Sequence, residues 1–169
     1  FMKILKEAVD EKMGKEIEET KEIKTVNVKV DGYIPHDYVS SDIEKLELYQ
    51  RLDQTKTISA IDHLKSEFID YYGKLPKEVA VLIEKRKLDI LASTTIVDKI
   101  VEVKDRMEVT FTSKYSSELK GDQFFELVNR LFTRPQFKQS GGKITISLPK
   151  SDQWLERINQ MITTLSSEA

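Results

Sequence analysis

The chain has 169 residues, 39% hydrophobic and 33% charged, a composition that can build a core and is not that of a disordered polymer. Its 27 lysines and arginines face 29 aspartates and glutamates, and a formal net charge of −2 does not suit a general nucleic-acid binder. The absence of cysteine excludes disulfides, thiolate metal sites and cysteine nucleophiles, and no apolar run approaches the roughly 20 residues a membrane-spanning helix needs.

The first segment, from Phe1 to about Met13, spaces Ile4, Leu5, Ala8 and Val9 for a short amphipathic helix that Gly14 can end. Lys15 to Lys24 crowds charges of both signs and reads as a solvated connector. Phe1 stands where an initiator would, which reads as a segment of a longer polypeptide. No signal-peptide core is visible, and with the missing cysteines this points to the cytoplasm.

From Thr25 to Asp31, Val26, Val28 and Val30 alternate with polar residues, the pattern of a half-buried strand. Gly32 to Ser41, with Pro35, reads as a structured loop. Asp42 can cap a helix to about Leu52, with Ile43, Leu46, Leu48 and Tyr49 on its apolar side. Thr57 can cap a second helix to about Tyr72, where Gly73 stops it. Pro76 suits the first turn of a third helix running to about Ala92.

The period then changes. Ile96 to Val103 and Met107 to Thr112 are β-rich runs around Lys104, Asp105 and Arg106, a hairpin pattern. Asp122 can cap a helix to about Thr133. Gln136 to Gln139 and Lys143 to Leu148 flank Gly141-Gly142, a second hairpin signal. Ser151 or Asp152 can cap a last helix whose buried stripe is Trp154, Leu155, Ile158, Met161, Ile162 and Leu165. Paired strands and grouped helices define an α+β fold, a small antiparallel sheet of hairpins packed with about five to six helices. The expected division is a helix and connector over residues 1–24, then a single main domain over residues 25–169.

Neither glycine-rich phosphate-binding consensus occurs, and the histidines are His36 and His63 only. No serine sits in a nucleophile-elbow context, so no catalytic residue, metal site or cofactor is expected in this chain. His63, Glu67 and Asp70 share one helical stripe opposite Ile61, Leu64, Phe68 and Tyr72. That stripe has three readings: a solvated polar face, an acidic docking surface, or a metal site, which lacks a third strong ligand. Lys85, Arg86 and Lys87 form the one compact basic run; near a helix end it complements the dipole, and its rival reading is a nucleic-acid contact. Arg130 and Arg134 read as helix-end cations in the same way.

Two blocks carry a family resemblance. Asp31-Gly32-Tyr33-Ile34-Pro35-His36-Asp37-Tyr38-Val39, followed by Leu46, Tyr49, Arg51 and Leu52, is similar to the D-A-Y-I-P-x-x-Y-I … R-L-x-x-Y-x-R-L signature of the C-terminal domain of transcription-repair-coupling factors. Glu67-Phe68-Ile69-Asp70-Tyr71-Tyr72-Gly73-Lys74-Leu75-Pro76, followed by Val79 and Leu82, resembles that family's E-L-x-D-R-F-G-x-L-P-x-x-V block. Lys45 and Tyr71 stand where the family usually has arginine, and Ser93-Thr94-Thr95 where a basic, glycine-containing turn is common. The resemblance implies a regulatory domain of an ATP-driven double-stranded DNA translocase, with ATP and magnesium belonging to an upstream motor. It implies docking on the factor's own UvrB-like N-terminal module, masking the surface that binds UvrA until the factor engages stalled RNA polymerase. Glu67 and Asp70, with His63 beside them, would meet arginines of that module. Tyr33, Ile34, Pro35, Tyr38, Gly73, Leu75 and Pro76 would be structural, with Leu75 buried. UvrA, RNA polymerase and DNA would be reached through the full-length factor, with no membrane partner and no direct nucleic-acid binding by this segment. The alternative is an α+β protein-interaction module unrelated to repair.

Overall fold

The computed structural model describes residues 25–93 and 96–168. The helix and connector expected over residues 1–24 lie outside the described residues, as do Thr94 and Thr95. In chain order the elements are β1 (Thr25–Asn27), α1 (Asp42–Gln54), α2 (Ile58–Tyr72), α3 (Lys77–Ala92), β2 (Val97–Val103), β3 (Arg106–Phe111), α4 (Ser113–Glu118), α5 (Gly121–Leu131), β4 (Gln136–Ser140), β5 (Lys143–Pro149) and α6 (Trp154–Glu168). The class is α+β, with the strands in one sheet of order β1-β2-β3-β5-β4.

Both expected hairpins form. β2 and β3 turn through Lys104-Asp105, with Lys104 at φ 61°. β4 and β5 turn through Gly141-Gly142, whose φ values of 61° and 81° are those of a type I′ turn matched to strand twist. β3 joins the hairpins antiparallel to β5, with Val109 opposite Ile146. β1 departs from the expected antiparallel arrangement: it lies parallel to β2, Val26 opposite Ile100, because three helices carry the chain across between them. It is also shorter than Thr25 to Asp31. The Lys29 N–H leaves the ladder and donates to Glu102 Oε1 at 3.1 Å, although Val28 and Val30 still pack on the core.

One sheet face is covered. Ile100, Met107, Val109, Phe111, Ile146 and Leu148 are fully buried there beneath α3, α5 and α6. The stripe of α6 is as expected except that Trp154 is only half-buried, and Asn159 joins it. A second core lies among α1, α2, α3 and the loop before them, built from Ile34, Val39, Leu48, Leu52, Ile61, Leu64, Phe68, Val79 and Ile83. Helix α3 belongs to both, giving Leu88 and Leu91 to the sheet and Val79, Ile83 and Ile90 to the helical layer.

Five local expectations change. Ser41, not Asp42, caps α1, its hydroxyl accepting the Glu44 N–H at 3.2 Å. Ile43 and Leu46 are exposed, because α1 turns Leu48 and Leu52 inward and those two lie on its far side. Helix α5 starts two residues early, with Lys120 instead of Asp122 at the cap position, and stops at Leu131. Helix α4 has no counterpart in the sequence pattern: Thr112 ends the strand run and caps six helical residues, accepting from the Tyr115 N–H. The start of α6 uses backbone instead of the expected side-chain cap, the Trp154 N–H reaching the Ser151 carbonyl at 3.1 Å.

Candidate docking surface

Helix α2 is a framed element. The Thr57 hydroxyl accepts the Ala60 N–H at 3.0 Å, and Gly73, at φ 92°, closes the other end through its N–H to the Ile69 carbonyl. Ile61, Leu64 and Phe68 are buried and fix the helix rotation, so His63 and Asp70 stand on the exposed side.

The three stripe residues are not equivalent. Glu67 is only 28% exposed and already engaged within the domain: Arg51 Nη2 of α1 lies 2.8 Å from its Oε1, and His63 Nε2 lies 3.2 Å from its Oε2. Asp70 is exposed, and its carboxylate has no ion pair or hydrogen bond among the described residues. Arg51 is therefore a member of this surface that the stripe did not reveal. Its signal was its place in the first family block, but which carboxylate it meets depends on how α1 lies against α2.

Tyr71 stands beside Asp70 and is 78% exposed, and Ile69 is exposed as well. Tyr72 donates its hydroxyl hydrogen to Glu44 Oε1 at 2.7 Å and ties the end of α2 to the start of α1. That hydrogen bond, then burial, pushes the Tyr72 hydroxyl up to about 12. The outward surface therefore offers acidic and aromatic groups side by side on a helix with a fixed orientation.

The other block residues support this surface. Ile34 is buried, and its N–H donates to the Tyr49 hydroxyl at 2.8 Å. The Pro35 carbonyl accepts from the Tyr38 and Val39 N–H groups and closes the loop into a turn. Tyr38 donates to the Phe68 carbonyl at 3.1 Å and to the Gly73 carbonyl at 2.9 Å, gripping the end of α2. Pro76 sits at the N-cap of α3. Tyr33 is half-exposed, and Leu75 is half-buried where burial was expected. Gly32 packs so tightly on α3 that a Cβ there would lie 3.0 Å from the Leu82 nitrogen.

Lys85, Arg86 and Lys87 are not at the end of their helix, which runs on to Ala92. Each is spent internally. Lys85 bonds Asp89 at 2.9 Å, Arg86 Nη2 donates to the Thr55 carbonyl at 2.6 Å, and Lys87 pairs with Asp62 at 3.2 Å. The run therefore braces α3 against α2 and the turn after α1. Arg130 does lie in the last turn of α5, whereas Arg134 lies beyond it at φ 52°. Among the described residues no group of three or more histidines, aspartates or glutamates could hold a metal ion, and no helix is long and apolar enough to cross a membrane.

This arrangement of helical layer and one-sided sheet is a known domain fold. A solved structure described as the C-terminal domain of a transcription-repair coupling factor superposes with a TM-score of 0.66, covering 86% of this chain and 94% of that one, at 18% identity. Residues 28–121, more than half of the chain, match the family model of the TRCF domain, and the chain belongs to that family. The transcription-repair-coupling factor of Bacillus subtilis (strain 168) is 30% identical over 170 residues, 98% of this chain. Those of Staphylococcus haemolyticus (strain JCSC1435) and Staphylococcus aureus (strain USA300) are 27% identical over 166 and 163 residues. The chain spans 14% of the length of each of these relatives.

Proposed function

We propose that this domain is a regulatory docking module of a transcription-repair-coupling factor, without a catalytic site of its own. It docks on the factor's UvrB-like N-terminal module and masks that module's UvrA-binding surface. The mask lifts when the DNA translocase, driven by ATP and magnesium in an upstream motor, engages stalled RNA polymerase. The observation that carries this reading is Asp70, an exposed carboxylate with no partner among the described residues, held outward by a helix whose opposite side is buried.

An arginine on the partner would bond Asp70 through two parallel, charge-assisted contacts. Glu67 joins by a different route. Arg51 and His63 hold its carboxylate in place, and a carboxylate with one contact on each oxygen keeps lone-pair sites for a third donor. Each exposed pair contributes about 0.2–1 kcal/mol. Within one polypeptide the partner is at high effective concentration, so so small a term still closes the clamp. A ligand that binds only the open state can then release it.

In a full-length factor Asp70→Arg is expected to raise basal UvrA binding severalfold, measured by pull-down, and to leave the melting temperature of the isolated domain unchanged. UvrA binding at the wild-type level would exclude Asp70 from the clamp. Asp70 is the informative position because reversal at Glu67 also strips Arg51 and His63 of their partner.

A further inference from the structure

The sheet ends on β4, which pairs with β5 on one side and with no described strand on the other. Across a two-residue hairpin turn the flanking residues exchange both hydrogen bonds, and the ladder alternates from there. Ser140, Lys138 and Gln136 therefore bond toward β5, while Phe137 and Gln139 direct N–H and C=O groups outward. Proteins commonly blunt such an edge with proline, bulges, a covering element or a lysine, and Lys138 is such a lysine, which repels a second copy of this edge and still admits an acidic strand. Here Pro135 precedes the strand, the pairing with β5 is regular, and every residue of β4 but Phe137 is exposed.

Two further features lie at this edge. Phe125 of α5, 46% exposed, sets its ring against Phe137 at 4.7 Å between centroids and 83° between planes, leaving an apolar shelf above the strand. The strand and its flanks are cationic: residues 134–143 contain Arg134, Lys138 and Lys143 and no acid. Lys143 pairs with Asp98 at 2.9 Å, whereas Arg134 and Lys138 are exposed and their side chains have no acidic partner among the described residues.

We propose that β4 accepts an extended acidic peptide that adds to the sheet as a sixth strand. Its backbone bonds Phe137 and Gln139, an apolar side chain rests on Phe125, and its carboxylates meet Lys138 and Arg134. A single-stranded nucleic acid fits less well. Bases stack on free ring faces, and these two rings are turned edge to face on each other. The outward donors and acceptors of a strand are matched in register only by another peptide backbone. This surface lies on a different element from Asp70, so its fate is independent of the clamp.

The probe is a fluorescein-labelled peptide of alternating valine and glutamate, about ten residues long, titrated by anisotropy into the 169-residue chain. The comparison probes carry lysine for glutamate, or are oligothymidylate. The acidic peptide is expected to bind about tenfold more tightly than either. Gln139→Pro removes an outward N–H and no bond to β5, and should weaken it about tenfold. Lys138→Glu should turn the preference toward the lysine peptide. No binding of the acidic peptide, tighter binding of oligothymidylate, or wild-type affinity in a folded Gln139→Pro variant overturns the proposal. If that variant loses its circular dichroism, amide exchange on the wild-type chain decides. Slowed exchange at Phe137 and Gln139 with the acidic peptide supports strand addition, and unchanged exchange overturns it.

Discussion

Tyr38 and Tyr72 show how single hydroxyls hold the outward face of α2 in place. Tyr38 grips two carbonyls at the end of that helix and stacks on Phe68 at 6.4 Å, while Tyr72 reaches Glu44 on α1. The Tyr72 bond has a pH signature. Its hydroxyl is raised from 10.0 to about 12, so the folded state favours the neutral form. The stabilisation is complete below the unfolded value near 10 and disappears as pH rises through about 12. Urea midpoints measured from pH 9 to 12 (about one unit apart) should therefore fall more steeply for the wild type than for Tyr72→Phe. The stripe of His63, Glu67 and Asp70 was legible from spacing alone. That Glu67 is occupied and Asp70 is not was illegible, because Arg51 meets Glu67 only through the packing of α1 on α2.

Elements were read best where a residue type dictates the backbone. Gly73 takes φ 92°, a region that other residues enter only under strain, and the helix end fell where the glycine put it. A Cβ there meets nothing within 4 Å, so Gly73→Ala isolates the backbone term. It should destabilise the domain by about 1–3 kcal/mol in chemical denaturation, without a change in m-value. The β4–β5 hairpin was legible for the same reason, through Gly141-Gly142, whereas the β2–β3 hairpin was legible only from its flanking β-rich runs, because Lys104 takes φ 61° with no glycine to announce the turn. The rotation of α1 was not legible: Ile43 and Leu46 fit an apolar stripe as well as Leu48 and Leu52 do, and only the neighbouring helices choose between them. Six-residue α4 is too short for a periodic signal. The direction of β1 depends on where the helical layer returns the chain, which no local pattern encodes.

The whole molecule is two cores joined by one helix. Ile83 and Leu88 lie five residues apart on α3, both essentially inaccessible, one in the helical layer and one under the sheet. Truncating either to alanine should cost about 2–5 kcal/mol. Because α3 cannot leave one core without loosening the other, each variant is expected to melt in a single transition, with fluorescence from Trp154 and far-ultraviolet ellipticity coinciding. Two separated transitions would show that the layers unfold apart. The parallel pairing of β1 with β2 adds a consequence for assembly. Thr25 meets Lys99 only after the whole segment of α1, α2 and α3 has been drawn into a loop, whose closure costs entropy before three residues of ladder return any of it. So brief a strand cannot nucleate its own partner, which makes it the last piece to join on the way to the native state and the first to depart from it.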